Sequence, residues 1–257
     1  MSGRRNKLNV KQLSLLKLIY KFRFVNADLV ARHKGMSRSA VNYSLAILLD
    51  QDLIGRRYGN SYRIAGKGAA YYLTPKALRL LKDSITLNEQ VVRAIYKNKT
   101  VGEPFVDDKL TVMRAYLALR NSYPEAFNIF TPSELSGFSD LPEPKPSLYL
   151  SRKKSSATKH NDYVLDIIKD NRLFVTKIRV QQYIEHCESG KWGEGDYPTV
   201  LLVLPDSRAE EKVLKTVESL LEDFDIYTTT IKALLGSNNS NKAIWSESFE
   251  PDELISL

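Results

Sequence analysis

Cysteine is almost missing. Cys187 stands alone in 257 residues, so no intrachain disulfide can form and no disulfide framework points to secretion. Histidine is nearly as scarce. His33, His160 and His186 do not recur at ligand spacings, and His186 and Cys187, adjacent on a helix, point to different faces, so neither a metal nor a cofactor is expected. Long apolar runs are absent too. The longest, Val200 to Leu204, falls far short of the ~20 residues of a membrane span, and no membrane partner is expected. The N-terminus, Met-Ser-Gly-Arg-Arg-Asn-Lys-Leu, is basic without the apolar segment of a secretory signal, which gives the expectation of a cytoplasmic protein. Gly66-Lys67-Gly68 lacks the spacing of a phosphate loop or a dinucleotide fingerprint and follows no parallel βα unit.

What is present is an ordinary globular composition, 43% hydrophobic and 26% charged, in a chain long enough for two domains. The net charge of +8 conceals an asymmetry. Met1 to Lys82 carry 17 Lys/Arg against 3 Asp/Glu, a net of +14, whereas Asp83 to Leu257 carry 21 against 27, a net of −6. A polyanion partner is implied for the first part only, and nucleic acid is the commonest one. Anionic lipid would call for an amphipathic Lys/Arg helix with exposed Trp or Phe, which the segment lacks.

The basic segment reads as helix, helix, helix, hairpin. Leu13, Leu16, Ile19 or Tyr20, and Phe24 recur at helical spacing in Asn9 to Phe24. Asn26 is a good N-cap for a helix from Ala27 to His33, with Asp28 favourable in its first turn. Lys34-Gly35 ends that helix and Ser37 caps the next, the short turn of a helix-turn-helix. In this third helix Val41, Leu45 and Leu48 share one stripe, which turns Arg38, Ser39, Asn42 and Tyr43 outward. No acidic residue lies between Met36 and Leu49. The arrangement suits a recognition helix, with Ser37, Arg38, Ser39, Asn42 and Tyr43 as its contacts with double-stranded DNA. Leu53 to Tyr58, a Gly59-Asn60-Ser61 turn and the return Tyr62-Arg63-Ile64 predict a wing, which brings Arg56, Arg57, Arg63 and Lys67 to the sugar-phosphate surface. A strand over Ala69 to Leu73 follows, and Thr74-Pro75 opens a last helix.

Asp83 to Asp107 read as a connector with a short helix at Asn88 to Tyr96. Beyond it, a helix runs from Asp107 or Asp108 to Asn121, and Pro132 to Ser156 read as loops around short segments, with Arg152-Lys153-Lys154 exposed. Asp162 to Ile168 and Leu173 to Ile178 read as a β-hairpin, Val180 to Ser189 as a helix and Thr199 to Leu204 as a buried central strand. Ala209 to Glu222 is an amphipathic helix with Val213, Val217 and Leu220 or Leu221 inward, and Asp225 to Thr229 is another strand. Gly236 to Asn241 reads as a loop, before a tail whose Ile244, Trp245 and Phe249 are expected to dock on the domain. The order is helix, three strands, helix, strand, helix, strand, so the fold class is α+β.

Several stretches, in this order, resemble the replication-relaxation family of plasmid and mobile-element proteins. They are Tyr71-Tyr72-Leu73-Thr74-Pro75-Lys76, the helix Asp108 to Leu119, His160-Asn161-Asp162-Tyr163, Gln182-Tyr183-Ile184-Glu185-His186 with Gly190-Lys191-Trp192, and Tyr197-Pro198-Thr199-Val200-Leu201. The resemblance implies an N-terminal winged helix-turn-helix joined to a restriction-endonuclease-like α/β sheet domain, with a role in plasmid replication, relaxation or transfer. It divides the chain into a winged helix at 1–82, a linker at 83–106 and the sheet domain at 107–257. A nuclease of that fold holds Mg²⁺ with acids on two neighbouring strands and a lysine two residues after the second acid. Asp162 fits the first position, but Thr176 and Ile178 fall at the other two, so the domain is expected to be catalytically degenerate unless Asp162, Asp166 and Glu185 retain a migrated site. The leading expectation is a regulator of transcription or of plasmid-type replication that binds double-stranded DNA and forms a homodimer through its second domain. A Mg²⁺-dependent DNA nuclease or nickase and a protein-interaction scaffold are the alternatives.

Overall fold

The computed structural model describes residues 8–153, 162–193, 196–217, 224–236, 243–247 and 254–257. The chain divides into two compact units, Met1–Met113 and Arg114–Leu257, and the fold is mixed α/β.

In the first unit α1 (Val10–Phe22) opens on a capping box, in which the Asn9 and Gln12 side chains each accept the other's backbone N–H. β1 (Val25–Asn26), α2 (Ala27–Lys34), α3 (Arg38–Asp50), β2 (Ile54–Arg57), α4 (Asn60–Ile64), β3 (Ala70–Leu73), α5 (Pro75–Leu81) and α6 (Glu89–Tyr96) follow. Asn26 caps α2 by accepting the Leu29 N–H, and Gly35, at φ 62°, ends it in the left-handed region that a side chain disfavours. Ser37 Oγ then accepts the Ala40 N–H at 3.2 Å, so only three residues separate α2 from α3, forming a helix-turn-helix. Val41, Leu45 and Leu48 are at most 1% exposed and bury the stripe of α3 in a core that also contains Leu16, Ile19, Phe24 and Leu73. A three-stranded antiparallel sheet, in the order β1-β3-β2, closes that core.

The wing differs from its expected form. β2 pairs with Ala70 to Leu73, in the register Ile54↔Leu73 to Arg57↔Ala70, and the expected turn and return strand are replaced by α4. Tyr62 supplies the reason. On a helical turn its ring goes inward to 4% exposure and lies edge-on to Tyr58 at 6.5 Å, while Ser61, Arg63 and Ile64 stay outside. A strand would have placed the apolar Tyr62 and Ile64 on one face. The expected connector is also largely built into this unit. Asn88 N donates to the Tyr20 hydroxyl at 3.1 Å, and Arg23 Nη2 donates to Ala94 O at 2.9 Å and Asn98 Oδ1 at 2.6 Å. The division between units falls inside α7 (Glu103–Ser122), which starts one turn before the expected helix.

The second unit comprises β4 (Phe127–Phe130), α8 (Pro132–Leu135), β5 (Leu148–Arg152), β6 (Tyr163–Ile167), α9 (Leu173–Glu188), β7 (Thr199–Leu204), α10 (Ser207–Val217), β8 (Ile226–Thr230), α11 (Ile231–Gly236), β9 (Trp245–Glu247) and β10 (Leu254–Ile255). Its seven strands lie in the order β10-β9-β8-β7-β6-β5-β4. β6, β7 and β8 are parallel, which requires the crossovers that α9 and α10 supply, and the outer strands are antiparallel. β7 is the expected central strand, with Val200 to Leu204 at most 1% exposed.

The expected hairpin of Asp162 to Ile178 is not formed. Its second arm is the start of α9, and the three strands before that helix are β4, β5 and β6. Leu173 to Ile178 is rich in β-branched residues, but the buried positions are Thr176, Arg179, Val180, Tyr183 and His186, a helical spacing, and Phe174 and Ile178 are left 53% and 54% exposed. The tail docks as expected through Trp245, which is fully buried and donates Nε1–H to the Tyr123 hydroxyl at 3.2 Å. His160, Asn161, Phe249, Leu220 and Leu221, Lys154 and most of the expected loop from Gly236 to Asn241 lie outside the described residues. The Val217 side chain also lies outside what is described.

One buried polar cluster fixes α9 to the sheet. Asp166, on β6, accepts hydrogen bonds from Arg179 Nε and, at 2.7 Å, from the Tyr183 hydroxyl, one turn apart on α9. Ser147 adds its backbone N–H at 2.9 Å and its hydroxyl at 3.3 Å. Removing one partner of a buried pair strands the other charge. Asp166→Ala should therefore cost roughly 3–5 kcal/mol of stability in a urea titration; a change under 1 kcal/mol would show that water reaches Arg179.

Candidate nucleic-acid interface

The outward face of α3 and the surface of α4 meet in the first unit around a cleft of about 590 Å³. Its lining is Ala27, Asp28, Arg38, Asn42, Arg56, Tyr58, Arg63, Gly66, Lys67, Gly68, Ala69 and Tyr71. Four cations and one carboxylate therefore line a single cavity. α3 presents Arg38 and Asn42 because its opposite stripe is committed to the core. β2 presents Arg56, α4 presents Arg63, and the bend at Gly66 (φ 62°) brings Lys67 round to the same cleft.

Several of these side chains have partners. Arg38 Nε lies 3.1 Å from Asp28 Oδ1, Lys67 Nζ lies 2.6 Å from Asp107 Oδ2, and Arg63 donates to Asn60 Oδ1. The hydrogen bond to Asp107 raises the pKa of Lys67. Arg57, next to Arg56 in sequence, is absent from the cleft lining and donates through Nη1 to Lys99 O at 3.1 Å and Val101 O at 2.6 Å. With the Ser61 hydroxyl on Glu103 and Lys67 on Asp107, Arg57 straps the α4 segment to residues 99–107 of the same unit.

Of the residues expected to contact DNA, the structure thus gathers Arg38, Asn42, Arg56, Arg63 and Lys67. Ser39 and Tyr43 are exposed on α3 outside the cleft, Tyr43 at 71%. The Ser37 hydroxyl is engaged as the N-cap, and Arg57 is a brace and not a free cation. The sequence reading missed Asp28, Tyr58 and Tyr71 in the lining. It also missed Ile64, whose 88% exposure on α4 leaves an aliphatic side chain on the outside of the same segment. A helical reading of Asn60 to Ile64 would have found it, because Tyr62 and Ile64 then separate onto different faces.

The described acids of the second unit do not assemble a metal site. Asp166 is occupied by Ser147, Arg179 and Tyr183, and Asp162 accepts the Tyr149 hydroxyl at 2.5 Å. Glu185 is on α9. Thr176 and Ile178, aligned above with nuclease positions on a strand, are on that helix too, so the alignment with a strand does not hold. Among the described residues no three His, Cys, Asp or Glu side chains are grouped to hold a metal ion. None of the described helices is long and apolar enough to cross a membrane.

No family model matches the chain, and no curated protein does. Among solved structures, a mutant of Lactococcus lactis ZitR is 23% identical over 40% of this chain and 69% of that chain, with a TM-score of 0.28. Another ZitR mutant, in complex with DNA, is 24% identical over 46% of this chain and 76% of that chain, with a TM-score of 0.28.

The strap has a direct consequence. A hydrogen bond made by a charged donor contributes roughly 1.5–3 kcal/mol, and of the two that Arg57 makes only the one to Val101 O is part-buried, so Arg57→Ala should lower stability by roughly 1–3 kcal/mol. Amide exchange should accelerate locally in Asn60 to Lys67. Exchange unchanged in that segment would mean that Arg57 does not restrain α4.

Proposed function

We propose that the first unit binds double-stranded DNA, with α3 in the major groove and the α4 segment on the neighbouring sugar-phosphate surface. The observation that carries this reading is the convergence of Arg38, Arg56, Arg63 and Lys67 on one cleft beside the exposed face of a helix-turn-helix, within a segment of net charge +14. Cations on a glycine-containing bend can approach phosphates closely, and an arginine and an asparagine on a helix have the donors and acceptors to read base edges. In this reading Arg38 and Asn42 read bases, with Tyr43 at the rim, and Arg56, Arg63 and Lys67 contact phosphates.

The second unit is then a non-catalytic domain that mediates dimerisation or partner contact, and the chain acts as a regulator of transcription or of plasmid-type replication. The resemblance to replication-relaxation proteins and to a restriction-endonuclease-like sheet domain is the source of the replication alternative. What supports a non-catalytic role is the pairing of Asp166 with the Arg179 guanidinium, which already offsets the carboxylate charge that a divalent cation would use.

Titration of labelled duplexes at fixed salt tests the reading. Arg38→Ala should cost ~1–3 kcal/mol at the preferred site and blur one base position, whereas Arg63→Ala should weaken all duplexes alike. Equal duplex affinity for both variants and the wild-type chain would sink the groove-docking reading. Cleavage of supercoiled DNA in Mg²⁺ that is lost in Asp162→Ala would replace the non-catalytic reading of the second unit with a nuclease.

A further inference from the structure

Within the DNA-binding reading, one lining residue has the wrong charge for its place. Asp28 puts a carboxylate into a cleft otherwise charged by Arg38, Arg56, Arg63 and Lys67. Facing phosphate, it opposes binding of every duplex alike. Its contribution to the fold is small, because an ion pair whose side chains are 64% and 50% exposed adds little stability. A place in the first turn of α2 favours an acid there, but the helix field does not require the contact with α3.

The geometry points to a different role: we infer that Asp28 is a specificity-determining positioning residue, whose carboxylate orients the Arg38 guanidinium for one base edge and withholds it from phosphate. The inference rests on the DNA-binding reading and deepens it. Asp28 Oδ1 meets Arg38 Nε at 3.1 Å, across the helix-turn-helix from α2 to α3. The contact engages Nε, and the two terminal nitrogens of a guanidinium form the fork that matches O6 and N7 of guanine. An arginine on a flexible stem loses rotamer freedom when it docks, and a pre-oriented one loses less. The same carboxylate partly neutralises Arg38, which weakens its competing attraction to phosphate and so widens the gap between right and wrong sites.

The bend lies near the carboxylate. A Cβ built on Gly68 would stand 3.9 Å from Asp28 Oδ2, so the Gly66 to Ala69 bend passes close to the oxygen that does not meet Arg38. Asp28 is therefore placed between the recognition helix and the bend that presents Lys67, whose own charge is engaged by Asp107. The lining holds no second carboxylate to take over its contact with Arg38.

The test uses the full chain and a pool of randomised duplexes, from which the preferred site is selected. That site and its single-base-pair variants are then titrated with wild type, Asp28→Asn, Asp28→Glu, Arg38→Ala and the Asp28→Asn/Arg38→Ala double variant. Asp28→Asn should reduce discrimination at one base pair by roughly tenfold, the scale of one bidentate contact. Its affinity for unrelated duplex should stay equal or rise. Asp28→Glu, which retains the charge, should recover part of the discrimination. In the Arg38→Ala background the Asp28→Asn change should leave the base profile untouched. An unchanged profile in folded Asp28→Asn, or an effect of that change that persists without Arg38, overturns the inference while the DNA-binding reading stands. Absence of salt-dependent duplex binding by wild type overturns both.

Discussion

Gathering cations on one surface is opposed by their mutual repulsion, and the first unit depends on how that repulsion is offset. Arg38, Arg56, Arg63 and Lys67 converge on one cleft. Asp28 and Asp107 each take up one of these charges, and Asn60 accepts from Arg63. Arg57 adds no charge to the lining and spends its donors on the carbonyls of Lys99 and Val101. The α4 segment is therefore held by neutral acceptors and by acids, and three of the four cations of the cleft, Arg38, Arg63 and Lys67, have a partner within the unit. Preorganisation of this kind is what a polyanion site requires, because ordering long side chains during binding would consume the electrostatic gain.

The parts of this site that depend on local sequence were legible. Ser37 as N-cap, Gly35 as the stop of α2, and the Val41, Leu45, Leu48 stripe each follow from residues within one or two turns, and they fix which face of α3 is outward. The wing was not legible in its details. Asn60 to Ile64 offers no strong period, and its helical form is decided by Tyr62 going inward and by contacts about 40 residues away in sequence, at Lys99, Val101, Glu103 and Asp107. The role of Arg57 was lost for the same reason, since a carbonyl brace leaves no mark in sequence spacing. α9 shows the complementary failure. Its first turns are built from β-branched and aromatic residues that favour strands, and the burial of Thr176, Val180 and Tyr183 at helical spacing overrides that preference.

In the second unit the same physics works in a drier setting. Asp166, Arg179 and Tyr183 form a buried cluster in which each polar group has partners, and the cluster fixes α9 across the parallel strands. Asp162 and Asp166, two of the acids that a migrated metal site would need, are committed to hydrogen bonds within the fold. Trp245, by contrast, was read correctly as a docking residue. A large aromatic in a polar tail finds burial with a single polar partner, here the hydroxyl of Tyr123.

The central claim is that the cleft of the first unit is a phosphate-binding surface with fixed cations. The slope of log K against log salt concentration for duplex binding by the full chain tests it most directly. Three cations at phosphates, Arg56, Arg63 and Lys67, would give a slope of roughly −3, from about −0.9 per phosphate neutralised. A slope near zero, at any duplex affinity, would contradict the account.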